Sequence, residues 1–313
     1  VTGPLVALLV DAGQGAGFGH LRRQLVLARA LEGLGARVVF GLPDPDAIPW
    51  PDARIPSPFR WSPGERAPEA DAVVVDSYRA DPPSPGGPAV AVMDDLGERP
   101  VEADLVINHN AYGDLCDYSA YRARRVLAGP RYAMVGQEFT ALRGRPGDAV
   151  LISFGATDDG SLAAPLAEAV RARMPAVPIV VALVRSDPAH MERLRGVNAT
   201  VRVGRPLDET MADARVVAGS AGFTILETLA AGRSPVVCMI AANQRLNIDF
   251  ARRRGLPAFD APAPDDMARA IEECYAGGPA AALPEVDGTG ADRVAAAVVE
   301  AASQARPRRR GLR

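Results

Sequence analysis

Leu5-Val6-Ala7-Leu8-Leu9-Val10, followed closely by Gly15-Ala16-Gly17-Phe18-Gly19-His20, decides the fold. An unbroken apolar run of this length reads as a strand buried on both faces. Residues 21–34 then carry apolar side chains at helical spacing, so the glycines form a strand-to-helix turn. Such a turn makes a nest of backbone N–H groups suited to anions. His20, one of three histidines in 313 residues, stands at its lip.

The same unit recurs downstream. Residues 36–42, 72–76, 89–95 and 104–108 read as short strands, and the proline-rich stretch 43–68 as irregular surface chain. Polar residues collect where strands end: Asp76 and Tyr78, Asp94 and Asp95, then Asn108, His109 and Asn110. Ligands bind outside the carboxyl ends of strands in an open parallel sheet, so these residues and His20 are expected near one crevice. Gly144-Arg145-Pro146-Gly147-Asp148 reads as a linker. The pattern restarts after it, with strands at 149–155, 178–183, 199–203, 214–219 and 234–240 and helices at 162–173 and 225–231. The expected fold class is α/β, with two Rossmann-like domains facing a central cleft. Residues 1–147 form the first domain, 148–300 the second, and 301–313 a flexible basic tail.

Composition narrows the function. With 48% hydrophobic and 23% charged residues the chain is globular rather than disordered. A net charge of −3 gives no drive toward nucleic acid. No apolar run approaches the roughly 20 residues of a membrane span, and no basic segment precedes the first strand. A cytoplasmic protein without signal peptide is expected. Cys116, Cys238 and Cys274 show no metal or redox spacing. The chain contains no lysine, which excludes lysine Schiff-base chemistry and a phosphate-loop lysine.

A second turn, Ser220-Ala221-Gly222-Phe223-Thr224, offers small residues, backbone N–H groups and hydroxyls at a helix start, which suits a diphosphate. Glu227, one turn later, could accept from both hydroxyls of a ribose. The plainer alternative is a helix-capping Ser or Thr with an acidic first turn. Asn243-Gln244, at the end of the next strand, tips the balance toward a ligand.

The first turn departs from a dinucleotide fingerprint, which disfavours NAD binding. Its glycines space as G-x-G-x-G, and Phe40-Gly41-Leu42 stands where a ribose-binding acid is required. For His20 the alternatives are a solvated first-turn histidine or a general base, whose neutral form a helix N-terminus favours. His109 is a second candidate, and His190 reads as a surface residue. Asp94 and Asp95 point to opposite faces of a strand, and Asp44-Pro45-Asp46 reads as turn chemistry, so no metal is expected.

Several segments occur together in order: Gly17-Phe18-Gly19-His20 with Arg22 and Arg23, Asp76-Ser77-Tyr78-Arg79-Ala80-Asp81, Asp94-Asp95-Leu96, Ile107-Asn108, Ala128-Gly129-Pro130-Arg131-Tyr132-Ala133, Ile152-Ser153-Phe154-Gly155, the stretch 219–227, and Asn243-Gln244. The chain thereby resembles the PseG family, the UDP-2,4-diacetamido-2,4,6-trideoxy-β-L-altropyranose hydrolases of pseudaminic acid biosynthesis. The resemblance covers nearly the whole chain. It implies a GT-B-like fold related to MurG-type glycosyltransferases, and inverting hydrolysis at the sugar anomeric carbon with release of UDP. It implies His20 as the base that activates water and Tyr78 as a second catalytic residue at the sugar end. It implies substrate contacts from Gly17, Gly19, Arg22, Asn108, Gly155, Ser220, Ala221, Gly222, Phe223, Thr224, Glu227, Asn243 and Gln244. The UDP-sugar is the expected partner, with no cofactor. Gly155-Ala156-Thr157-Asp158-Asp159, Leu21-Arg22-Arg23-Gln24 and the extra His109 depart from the family pattern. A glycosyltransferase and a non-catalytic nucleotide-sugar-binding protein remain as alternatives.

Overall fold

A computed structural model describes residues 3–12, 19–47, 55–84, 86–277 and 283–305. Gly15, Gly17 and residues 306–313 lie outside these residues, whereas residues 301–305, expected to begin a flexible tail, end the helix Gly290–Ala305. The chain divides into two compact units, Val1–Val135 with Gly288–Arg313, and Gly136–Asp287.

Among the described residues the first unit has seven strands: β1 (Leu5–Val10), β2 (Arg37–Leu42), β3 (Pro58–Arg60), β4 (Ala72–Asp76), β5 (Ala89–Met93), β6 (Glu102–Asn108) and β7 (Arg122–Ala128). All pair in parallel, in the order β3-β2-β1-β4-β5-β6-β7. Valine-rich runs pack here because both sheet faces are covered, and β1, β4 and β5 are buried almost throughout. Helix α1 (Gly19–Gly33) lays Leu27, Ala28 and Leu31 on one face. The helix Gly290–Ala305 sets Val294, Ala295, Val298 and Ala302 into the same core. Strand order reverses between β1 and β4, with Val10 beside Asp76, which puts the switch point next to the start of α1.

The second unit repeats the scheme with β8 (Ala149–Ser153), β9 (Ile179–Leu183), β10 (Thr200–Val203), β11 (Ala214–Ser220), β12 (Ser234–Cys238) and β13 (Ala258–Phe259). Its order, β10-β9-β8-β11-β12-β13, is again all parallel. Helices α2 (Gln137–Thr140), α3 (Ala163–Arg173), α4 (Pro188–Gly196), α5 (Leu207–Met211), α6 (Thr224–Ala230), α7 (Arg245–Arg253) and α8 (Pro264–Gly277) complete it. Val150, Ile152, Val216 and Ala218 meet Leu166, Val170, Met267 and Ile271 in its core. The reversal lies between β8 and β11, where Ser153 faces Gly219. A Cβ on Gly219 would stand 1.8 Å from the Ser153 carbonyl oxygen, so only glycine admits this approach.

Three expectations change. The units divide after Val135, not at residue 147, and the helix Gly290–Ala305 belongs to the first unit rather than to a second domain running to residue 300. The irregular stretch 43–68 contains β3, an edge strand that pairs Phe40 with Pro58. Strand β7 was not anticipated, because an exposed edge strand carrying Arg122, Arg124 and Arg125 has none of the apolar signal of its neighbours.

Candidate functional site

In the first unit the strand ends deliver a buried ionic cluster around the first turn of α1. Arg23 lies on the inward stripe of α1 and is 4% exposed. Its Nε donates to Asp76 Oδ2 at 2.7 Å, and its Nη2 donates to Asp76 Oδ1. Its Nη1 donates to Asp95 Oδ1 and Oδ2 at 2.7 and 2.9 Å, and to His109 Nε2 at 2.8 Å. Gln24 Nε2 adds a bond to Asp76 Oδ2 at 2.8 Å. Burial by itself would raise the carboxyl pKa values of Asp76 and Asp95, but the Arg23 charge overcomes it and holds both below the usual carboxylate range.

His20 is 8% exposed, with Nδ1 3.1 Å from Asp76 Oδ1. It is not a solvated cap. Its ring meets that of Tyr78 edge-on, centroids 5.0 Å apart. Its Nδ1 hydrogen-bonds the Asp76 backbone carbonyl at 3.4 Å, and a carbonyl and an ionised carboxylate only accept, so Nδ1 carries the proton and Nε2 is the basic nitrogen of His20. The Tyr78 hydroxyl donates to Asp95 Oδ2 at 2.8 Å. Although Tyr78 is 41% exposed as a residue, desolvation of its hydroxyl end and then the Asp95 charge push its pKa up. Tyr78 is thus a hydrogen-bond donor to a carboxylate rather than an acid or base near neutrality.

Asn108 is fully buried, donating from Nδ2 to the Asp95 carbonyl at 3.0 Å. Its Oδ1 accepts from Asn110 Nδ2 at 3.1 Å, and Asn110 in turn donates to Asp95 Oδ1 at 2.9 Å. It shapes the cluster from beneath. His109 is 1% exposed, and burial together with the Arg23 charge pushes its pKa down to about 3. Asp94 turns away from Asp95, accepting from Leu96 N, Gly97 N and the Tyr121 hydroxyl. Asp11 accepts from the Ser77 hydroxyl at 2.9 Å and Arg79 Nε at 3.0 Å. Gly19 opens α1 and Arg22 is half-buried, whereas its neighbour Arg23 organises the cluster. The sequence reading missed Arg23's role, although its place on the stripe Arg23, Leu27, Leu31 signals a buried cation.

In the second unit three loop tips converge. A Cβ on Gly222 would lie 3.6 Å from Gln244 Nε2 and 3.8 Å from Ser220 Oγ, and one on Gly155 would lie 4.0 Å from the same Oγ. Gly155 has φ +89°, the left-handed turn that ends β8. Phe223 stands at the N-cap of α6 and makes no side-chain cap hydrogen bond. Asn247 fixes the turn from below, donating from Nδ2 to the Ala221 carbonyl at 2.9 Å. Gln244 Oε1 accepts from Ile240 N at 2.9 Å, while Asn243 is exposed. Phe223 and Thr224 are half-buried; Ala221 and Glu227 are buried, Glu227 at 1% exposure. His190 is half-buried on α4, its Nε2 4.0 Å from Asp159 Oδ1.

Among the described residues no group of three or more His, Cys, Asp or Glu could hold a metal ion, and no helix is long and apolar enough to cross a membrane. No family model and no curated protein matches the chain. Solved structures do. It is similar to LpCGTa in complex with UDP at TM-score 0.57 and 13% identity, over 96% of this chain and 94% of that one. It is similar to Acinetobacter baumannii MurG at TM-score 0.58 and 15% identity, over 95% and 100%. The S. aureus MnaA–UDP structure gives 0.58 and 10%, over 93% and 95%. The fold is therefore that of the GT-B proteins, two parallel-sheet α/β domains in one chain.

Proposed function

We propose that this protein is an enzyme acting on a UDP-linked sugar, and that it hydrolyses a UDP-linked amino or deoxy sugar at the anomeric carbon. The observation that carries the reading is the His20–Asp76 pair, buried and fixed by Arg23. Asp76 holds the imidazole with Nε2 as its basic nitrogen. Nε2 takes a proton from water as the water oxygen bonds to the anomeric carbon. The bond from that carbon to the phosphate oxygen breaks, and its electron pair leaves with UDP. Attack opposite the leaving group inverts the centre.

The leaving diphosphate is assigned to Ser220, Gly222, Gly155 and Gln244, whose convergence supports an anion cradle, with Thr224 at the start of α6. UDP in the similar LpCGTa and MnaA structures supports the nucleotide. The PseG-like motifs favour water as acceptor and a pseudaminic-acid-type product. A second reading, transfer to another hydroxyl, is supported by the likeness to MurG and to the glycotransferase of kitacinnamycin.

Incubation with a panel of UDP-sugars, with and without acceptors, separates the two. A hydrolase releases UDP and free sugar from a UDP-linked diacetamido-trideoxyhexose without acceptor. A transferase loses donor only when an acceptor is supplied. His20→Ala lowers either turnover by about 10²–10⁴-fold. Tight UDP binding with no turnover under any condition overturns both.

A further inference from the structure

His109 is the residue of the ionic cluster that the proposed chemistry leaves unused, and it departs from the motif pattern that suggested that chemistry. Arginine has no acceptor, so at 2.8 Å from Arg23 Nη1 the His109 Nε2 must receive the hydrogen bond. Its ring proton then sits on Nδ1. Nη1 carries two hydrogens: one is shared by the Asp95 oxygens at 2.7 and 2.9 Å, and the other goes to His109. The guanidinium is thereby fixed at three points, Asp76, Asp95 and His109, contributed by β4, the loop after β5 and the loop after β6.

We propose that His109 is a positioning residue, a neutral acceptor that locks Arg23 against Asp76 and so sets how much carboxylate charge His20 feels. The inference rests on His20 being the working base. Asp76 is shared between a full cation and the imidazole. If the guanidinium loosens, Asp76 is less neutralised and turns more of its charge on the His20 ring. The other groups facing His20 are Tyr78 beyond β4, Asp11 beyond β1 with its partner Arg79, Asp95 beyond β5 and His109 itself. Of these, Asp95 also meets His109, whose Nε2 lies 3.9 Å from Asp95 Oδ1. Burial and the Arg23 charge keep His109 itself neutral.

The chain's three histidines make ¹⁵N-histidine NMR of the full-length protein a direct test, independent of any substrate. In the parent protein His109 is expected as the Nδ1–H tautomer, unchanged between pH 5 and 9. Titration of His109 in that range, or a proton on Nε2, overturns the proposal. His109→Leu is expected to shift the ring-nitrogen resonances of His20 at pH 7, because Asp76 then meets the ring with more of its charge. His109→Gln, which restores an acceptor, leaves them near the parent positions. His20 resonances unmoved by leucine, or moved equally by both substitutions, overturn it too. If His109→Leu does not fold, the tautomer and titration of the parent protein still decide.

The activity arm is kcat/KM for UDP release, expected to fall with leucine and to be restored by glutamine. Absence of UDP release from every UDP-sugar refutes the sugar chemistry and leaves the NMR result standing.

Discussion

Arg23 grips Asp76 through both carboxylate oxygens, Nε to Oδ2 at 2.7 Å and Nη2 to Oδ1, with both residues buried. A buried pair is costly to break from one side, because the remaining charge has neither water nor partner. Asp76→Asn is expected to lower unfolding free energy by about 3–5 kcal/mol, read from urea denaturation. It also removes the carboxylate charge 3.1 Å from His20 Nδ1, although the backbone carbonyl bond stays, so UDP release falls even in protein that remains folded at low temperature. Full activity in Asp76→Asn would remove this carboxylate from the mechanism.

Stability falls with acid in two stages. His109 has its pKa lowered from 6.5 to about 3, so below pH 6.5 the unfolded chain binds a proton that the folded chain refuses. Stability attributable to this residue is intact above pH 6.5 and declines as pH drops toward 3. Between pH 6 and pH 4 the parent protein should lose about 2 kcal/mol more than His109→Gln. Asp76 and Asp95, whose pKa values are lowered from 3.8, contribute stability above that pH and lose it as the pH falls further. Chemical denaturation at stepped pH checks both stages, and parallel curves for parent and variant would contradict the first.

Tyr78 should not titrate in the working range. Its hydroxyl end is desolvated and its proton faces Asp95, which keeps it protonated through pH 10. Tyr78→Phe is expected to lower UDP release about tenfold, the scale of one hydrogen bond to a charged group. The pH profile should gain or lose no alkaline limb. An alkaline limb that disappears with phenylalanine would restore Tyr78 as an acid.

The two glycines of the second turn should separate folding from binding. Gly219→Ala drives a Cβ into the Ser153 carbonyl at 1.8 Å and is expected to abolish folding of that unit. At Gly222 the first contacts of a Cβ lie at 3.6 and 3.8 Å, ordinary packing distances. Gly222→Val should leave the thermal midpoint nearly unchanged while weakening UDP binding more than tenfold, measured by titration calorimetry. Unchanged UDP affinity would take the nucleotide away from this turn.

Ending the chain after Asp287 removes the helix that places Val294, Ala295, Val298 and Ala302 in the first unit's core. Each buried valine is worth about 1.5–3 kcal/mol, so the first unit should lose protection in hydrogen exchange. The unit Gly136–Asp287 should keep its own. Protection lost equally from both would contradict the division.

The sequence by itself determined the alternating parallel-sheet architecture. Strands buried on both faces must be continuous apolar runs, and such runs, bracketed by glycine and polar turns, are visible without coordinates. It also marked the strand ends Asp76, Asp95, Asn108 and His109, since polar residues after an apolar run mark the sheet's carboxyl edge. Only the tertiary structure decided what those residues do. Arg23 meets Asp76, Asp95 and His109 across separations of 53, 72 and 86 residues, contacts to which periodicity within α1 is blind. The C-terminal helix is equally illegible in its destination. Its apolar face fits either sheet by pattern, and the core formed by β4, β5 and β6 takes it because packing, not order in the chain, sets where an amphipathic helix is most stable.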